Sequence, residues 1–403
     1  MIEIQGKHNT ALCYCADLEK TAAGQIRAVC DQPAFADSRV RIMPDVHAGL
    51  GCTIGTTMTI TDKVVPGLVG VDIGCGMETV CLVNADLDLA KLDELIHQKI
   101  PCGREIRPLP HPFGEEIELE QLHCAKHVNL NRAYRSIGTL GGGNHFIEVD
   151  EATDGTKYLI IHTGSRNLGK QVAEIYQRLA IDLHAGKEEY FQKRDEIIRT
   201  NKEQGRRKEI QAALKEIAWE KKESTMPDDL CYLYGNYFED YLHDVEICQQ
   251  FARRNREMIA EILLARTGME GTDAFHTIHN YIDTDEMILR KGAIAAHEGE
   301  RVLIPINMRD GSVLAIGKGN PEWNFSAPHG AGRIMSRTKA KESLSLDEYQ
   351  KTMAGVYTTS VNEATLDEAP MAYKRLEDII DVIRESVDVI DVMKPIYNFK
   401  ASE

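Results

Sequence analysis

Asp72 and Cys75 stand three residues apart in the turn VGVDIGCGM, and four histidines recur beside glycine or small polar residues: His145 in LGGGNHF, His162 in IIHTGSRN, His279 in IHNY and His329 in PHGAGR. Carboxylate, thiolate and imidazole are the side chains that bind transition metals, so this set reads as one metal and phosphate site assembled from the whole chain. A lone histidine or cysteine is ordinarily a satisfied core residue, and Cys13, Cys15, Cys30, Cys52, Cys81, Cys102, Cys124, Cys231 and Cys248 keep that reading. The candidates differ in their neighbours. Each lies at the edge of an apolar run such as YLIIHT or in a glycine loop, and the Gly141–Gly143 run before Asn144 opens the backbone to close approach, for which a phosphate is the natural guest.

The elements that must position these residues read as mixed α and β. TIGTTMTI, ETVCLV, KYLIIHT and RVLIPI carry strand patterns, and the run KRLEDIIDVIRESVDVIDVM is expected as a late amphipathic helix. Between about Gly169 and Thr267, VAEIYQRLAIDL, EIQAALKEIAWEKK and VEICQQFARRNREMIAEILLA have apolar residues at helical spacing with few breakers. No Pro-rich or Gly/Ser-rich linker divides the chain. The expectation is therefore an α+β fold: a single large catalytic domain over 1–403, with mixed β-sheets and a helical insertion at about 169–267, whose charged part reads by default as a solvated helix face and, as the sharper alternative, as an RNA-contact arm.

The segments VGVDIGCGM, GTLGGGNHFIEV, HTGSRN, RKGA and HGAGRIMSRTKAK, in that order, resemble the signature segments of the RtcB family of RNA ligases, with the match running from about Met43 to Lys400. The resemblance implies a ligase that depends on GTP and Mn²⁺. It would join RNA 3′-phosphate or 2′,3′-cyclic phosphate ends to 5′-hydroxyl ends through a guanylylated histidine and an RNA-3′-pp-5′-G intermediate, in RNA repair or tRNA splicing. By motif position, Asp72, Cys75, His145, His162 and His279 would hold two Mn²⁺ ions with Cys75 bridging, and His329 would be the nucleophile. The guanylate would lie against Asn144, His145, Phe146, Ile147, Glu148, His279, Asn280, Pro305, Ile306, Asn307, Met308, Ser312, His329, Gly330, Ala331, Gly332 and Lys400. An activating protein of the archease type is a partner the resemblance allows for.

The chemistry suits those residue types. A neutral imidazole nitrogen attacking the α-phosphorus of GTP forms a phosphoramidate, and cations beside the phosphates supply most of the acceleration. Read as a helix, RIMSRTKAK would begin its first turn just after His329 and present Arg333 and Arg337 on one face to the RNA phosphate, with Arg166 after His162 as a third cation. Two departures from the family pattern stand out. The loop that usually reads Pro-Gly-Ser-Met is Pro305-Ile306-Asn307-Met308, and the usual Lys-Gly is Lys400-Ala401 followed by Ser402 and Glu403. They suggest a divergent branch with altered nucleotide contacts.

Two other classes remain open at this stage, a dinuclear metal-dependent phosphoesterase and a catalytically silent RNA-end binding protein. The net charge of −16 argues against extensive non-specific RNA binding, since such binding draws on Lys and Arg contacts to phosphate. Charge is unevenly distributed. Arg333 to Lys341 carries four bases and no acid, whereas Glu363 to Asp391 carries nine acids against three bases, so a basic site face with an acidic back reconciles the total with recognition of RNA ends. Ten cysteines without a Cys-x-x-Cys pair, no apolar targeting core at the start and no membrane-length apolar run lead to the expectation of a cytoplasmic protein that does not engage a membrane.

Overall fold

In the computed structural model, residues 1–83, 86–111, 117–217, 219 and 222–401 are described. Part of the expected helical segment Glu209–Lys222 and the Ser402-Glu403 departure lie outside them. The fold is α+β. At its centre is a seven-stranded, wholly antiparallel sheet ordered Glu270–Ile278, Gly76–Val83, Lys157–Thr163, Phe146–Glu151, Val387–Lys400, Gly311–Gly317 and Arg301–Asn307. A second, six-stranded sheet runs Ile2–Gln5, Thr10–Cys13, Val40–His47, Ile54–Thr59, Ile288–Lys291 and Asn280–Asp283, with one parallel pairing between its second and third strands.

The strand Lys157–Thr163 shows why the central sheet is covered on both faces. Alternate side chains leave a strand on opposite sides, and here Leu159 and Ile161 enter one apolar cluster while Ile160 enters another. The long helix Asn236–Thr267 closes the first of these with Ile259, Ala260 and Leu263, and further up it buries Phe238, Tyr241, Val245 and Phe251 in the largest cluster. It ends at Gly268 in the left-handed conformation that glycine adopts without steric cost.

The stretch 169–267 is helical in most of its described residues. Its first helix, Arg166–Asp182, and its last, Asn236–Thr267, are core elements. The helices Glu188–Glu203 and Ile210–Glu216 between them bury no residue. Among the described residues no helix is long and apolar enough to cross a membrane.

Two expectations are corrected. The late amphipathic helix is a seven-residue helix, Glu377–Ile383, followed by the fourteen-residue strand Val387–Lys400. Val387, Val389 and Val392 are β-branched and Asp388 and Asp391 interleave them, which is a strand pattern; the helical spacing holds only before Arg384. The helix expected directly after His329 starts instead at Arg337, because Ser336 caps it by accepting the backbone N–H of Lys339. Residues 330–336 form a loop in which Arg333 bridges to Tyr373, so Arg333 and Arg337 share no helix face.

Candidate metal and nucleotide site

Five neighbouring strands of the central sheet bring the site together by register. Ile278 pairs with Gly76, Gly76 with Thr163, His162 with Phe146, and Phe146 with Lys400. Because adjacent strands run oppositely, strand beginnings alternate with strand ends along one edge of the sheet. That edge therefore collects His279, Cys75, His162, His145 and Lys400, residues separated by up to 325 positions (400 − 75) in the chain.

Cys75 is the hub. Its Sγ lies 3.5 Å from His145 Nε2 and 3.4 Å from His162 Nε2, and the Nε2 atoms of His162 and His279 are 3.4 Å apart. His145 Nε2 also lies 3.1 Å from Asp72 Oδ2. The donor atoms form two triads, Cys75–His162–His279 and Asp72–Cys75–His145, each with all atoms within 4.8 Å of one another and with Cys75 common to both. Without a cation these groups can hydrogen-bond to one another, and with one they offer N, S and O donors in triads of the kind that suit transition ions.

Local structure fixes these donors. The Nδ1–H of His145 donates to the Leu140 carbonyl at 2.8 Å, which leaves the Nε2 lone pair for the site. Gly164 is required where it stands, since a Cβ there would meet Asp72 Oδ1 at 2.4 Å. Burial, reinforced by the neighbouring imidazoles, holds His162 and His279 well below the usual histidine range, so both are neutral, as ligands must be. Burial and the Asp72 charge hold the Cys75 thiol well above its usual range, so without a cation it stays protonated.

Beneath the donors lies a residue that sequence reasoning missed. Arg256, 1% exposed, donates through Nη1 to the Gly74 and Thr163 carbonyls at 2.8 and 3.0 Å, joining the Cys75 turn to the end of the His162 strand. Its neighbour Asn255 ties Gly138 and Thr139 to Gly164. The signal was present: both residues interrupt the apolar stripe formed by Ala252, Ile259 and Leu263 on a core helix.

His329 approaches from the loop after Ser326–Pro328, with its ring centroid 4.9 Å from that of His279. Its Nδ1 is 2.6 Å from Oδ2 of Asp45, a fully buried carboxylate. Gly332, at φ +77°, permits this approach, because a Cβ there would meet the Asp45 carbonyl oxygen at 2.5 Å. His47, two residues on, holds its Nδ1 3.0 Å from that same carbonyl oxygen, and burial lowers its pKa.

A cleft opens beside His329. It is lined by Asn144, Phe146, Glu148 and His162, by Pro305 to Met308, by His329 to Arg333, and by Arg337 and Lys400, all expected from sequence; His47, Tyr373 and Asn398 were not. Several expected nucleotide residues lie elsewhere. Ile147 packs in the core on the opposite side of its strand, Ser312 is fully buried, and His145, His279 and Asn280 do not line the cleft. Arg166 is also outside it, with its guanidinium over Gly141 and donating to Gly103 O and Thr139 Oγ1. In the altered loop, Ile306 turns into an apolar cluster with Ile304 and Ala331, and Asn307 caps its own turn by accepting from the N–H groups of Arg309 and Asp310.

The cations of the cleft carry carboxylate partners. Glu368, 2% exposed, pairs with Lys400 at 2.6 Å and with Arg333 and Arg337, while Asp367 pairs with Arg337 and Lys341. Burial opposes ionisation of Glu368, but Lys400 and Arg337 outweigh it and hold the carboxyl down at about 2. Glu148, which lines the cleft, and the fully buried Asp150 near it both shift the opposite way to Glu368. Burial, then mutual repulsion, raises Glu148 well above the carboxylate range, and burial raises Asp150 to about 6.

A family model described as tRNA-splicing ligase RtcB matches residues 25–115 and 112–401. An RNA-splicing ligase RtcB of Escherichia coli is 30% identical, covering 90% of each chain. RNA-splicing ligase RtcB2 of Escherichia coli is 26% identical over 96% of this chain and 93% of its own, and tRNA-splicing ligase RtcB of Archaeoglobus fulgidus is 27% identical over 92% and 88%.

Proposed function

The chain belongs to the RtcB family of RNA ligases, and from that premise we propose that it joins RNA 3′-phosphate or 2′,3′-cyclic phosphate ends to 5′-hydroxyl ends, using GTP and Mn²⁺. The observation that carries this reading is the tethering of His329 by Asp45 beside two donor triads that share Cys75. Asp72, Cys75, His145, His162 and His279 would hold two ions, which when bound neutralise phosphate charge.

With its Nδ1–H given to Asp45, His329 keeps the Nε2 lone pair toward the cleft. Nε2 forms a bond to the α-phosphorus of GTP as the bond to the β-phosphate oxygen breaks and pyrophosphate leaves. Asp45 balances the positive charge that develops on the ring. A cyclic end first takes up water, which breaks its P–O2′ bond to give a 3′-phosphate and a free 2′-hydroxyl. An RNA 3′-phosphate oxygen then takes the guanylate from His329, and a 5′-hydroxyl displaces GMP, losing its proton, to leave a phosphodiester. Arg333, Arg337 and Lys400 would exchange their carboxylate partners for phosphate oxygens. A reducing, cytoplasmic setting belongs to the same reading, since all ten cysteines are unpaired and a thiol lies at the hub of the site. An activating partner of the archease type, and Arg166 as a contact for the RNA phosphate, also belong to it.

The test is incubation of metal-stripped protein with Mn²⁺ and α-labelled GTP, wild type against His329→Ala. Label on the wild type alone supports the ligase mechanism. Phosphoesterase activity that survives His329→Ala, with no label on either, would replace it by the hydrolase reading.

A further inference from the structure

Asn398 and Glu148 are direct partners across the ladder between Val387–Lys400 and Phe146–Glu151. The two-residue period of a strand puts Asn398 and Lys400 on one face, and both line the cleft together with Glu148. Nδ2 of Asn398 donates to Oε2 of Glu148, which fixes the amide and leaves its Oδ1 buried without a partner among the described residues, in a residue 1% exposed. Buried acceptors are rarely left unpaired, so this one is suited to a donor supplied by a ligand.

The pattern on this face is a donor at Lys400 and a free acceptor at Asn398, with the Glu148 carboxyl held beside them by the Asn398 amide. Guanine presents the complement, an acceptor at O6 followed by donors at N1 and the 2-amino group. Adenine places a donor where Lys400 needs an acceptor, and hypoxanthine has the guanine pattern without the 2-amino group. We propose that Asn398 is a specificity-determining residue for the nucleotide base, its Oδ1 accepting from the 2-amino group of guanine while its Nδ2 holds Glu148 in place. The inference rests on the guanylate reading above and goes beyond it by naming the group that is read and the residue that reads it.

Equilibrium binding of GMP, IMP and AMP to the full metal-loaded chain tests it, with Asn398→Leu and the smaller Asn398→Ala as variants and thermal melting as a check on folding. The wild type is expected to prefer GMP over IMP by about tenfold or more. Both variants should bring GMP to the IMP level while moving IMP by less than about threefold. Equal losses of GMP and IMP would assign Asn398 a purely structural role, and unchanged affinities for both would leave the 2-amino group to another residue; either overturns the inference. Failure of the guanylate reading looks different, because the wild type would then bind AMP as well as GMP.

Discussion

Nδ1 of His329 lies 2.6 Å from Oδ2 of Asp45, and the same oxygen accepts the His329 backbone N–H at 3.2 Å. One carboxylate thus fixes both the tautomer and the position of the ring. Asp45→Asn keeps the shape but removes the charge that stabilises the imidazolium, so covalent labelling by GTP should slow by roughly 10²- to 10⁴-fold with little change in melting temperature. Labelling within about threefold of wild type would show that the carboxylate only packs there.

The shared thiol makes metal content diagnostic. His145→Ala should leave the Cys75–His162–His279 triad and His279→Ala the Asp72–Cys75–His145 triad, each losing one ion, whereas Cys75→Ala should lose both. Metal analysis after dialysis reads this directly. Since the buried Cys75 thiol is protonated without metal, loading should also release a proton that Cys75→Ala does not.

Arg256 makes its contribution through backbone carbonyls of two loops that carry donors. Arg256→Met should lower the stability of the metal-free protein by about 2–4 kcal/mol in urea unfolding and weaken metal affinity by roughly 10- to 100-fold. Unaltered metal affinity in a folded variant would confine Arg256 to a packing role.

Glu368 gives the protein an acid-sensitive element. Its carboxyl is depressed from 4.5 to about 2 in the folded state, so its ion pairs stabilise fully above the unfolded value and are lost as pH falls from about 4.5 toward 2. The effect is on the order of 3 kcal/mol. Unfolding midpoints of wild type and Glu368→Gln should converge as the pH drops through that window, and parallel curves would contradict the assignment.

What was legible in the sequence was the chemistry more than the scaffold. Cys75, His145, His162 and His279 stand out because each abuts a glycine loop or ends an apolar run, and strand ends are where the sheet delivers them. The strand Lys157–Thr163 was readable from its unbroken apolar run. Asp45 and Glu368 were not, because their importance comes from pairing with residues 284 and 32 positions away (329 − 45 and 400 − 368), which no local pattern carries. Val387–Lys400 was misread because the helix before it shares its apolar residues and the change of period falls inside a single charged run. The helix expected after His329 was misplaced for a smaller reason, a serine cap seven residues downstream of the histidine (336 − 329).

The strand Val387–Lys400 lies between Phe146–Glu151 and Gly311–Gly317, so without it the central sheet is two unconnected pieces. During synthesis those pieces leave the ribosome first, and the strand that joins them follows everything it bridges. Closing the sheet therefore waits on contacts of long sequence separation, which are slow to form. The face bearing Asn398 and Lys400 belongs to that last strand, so the cleft is completed only when the end of the chain has joined the two pieces.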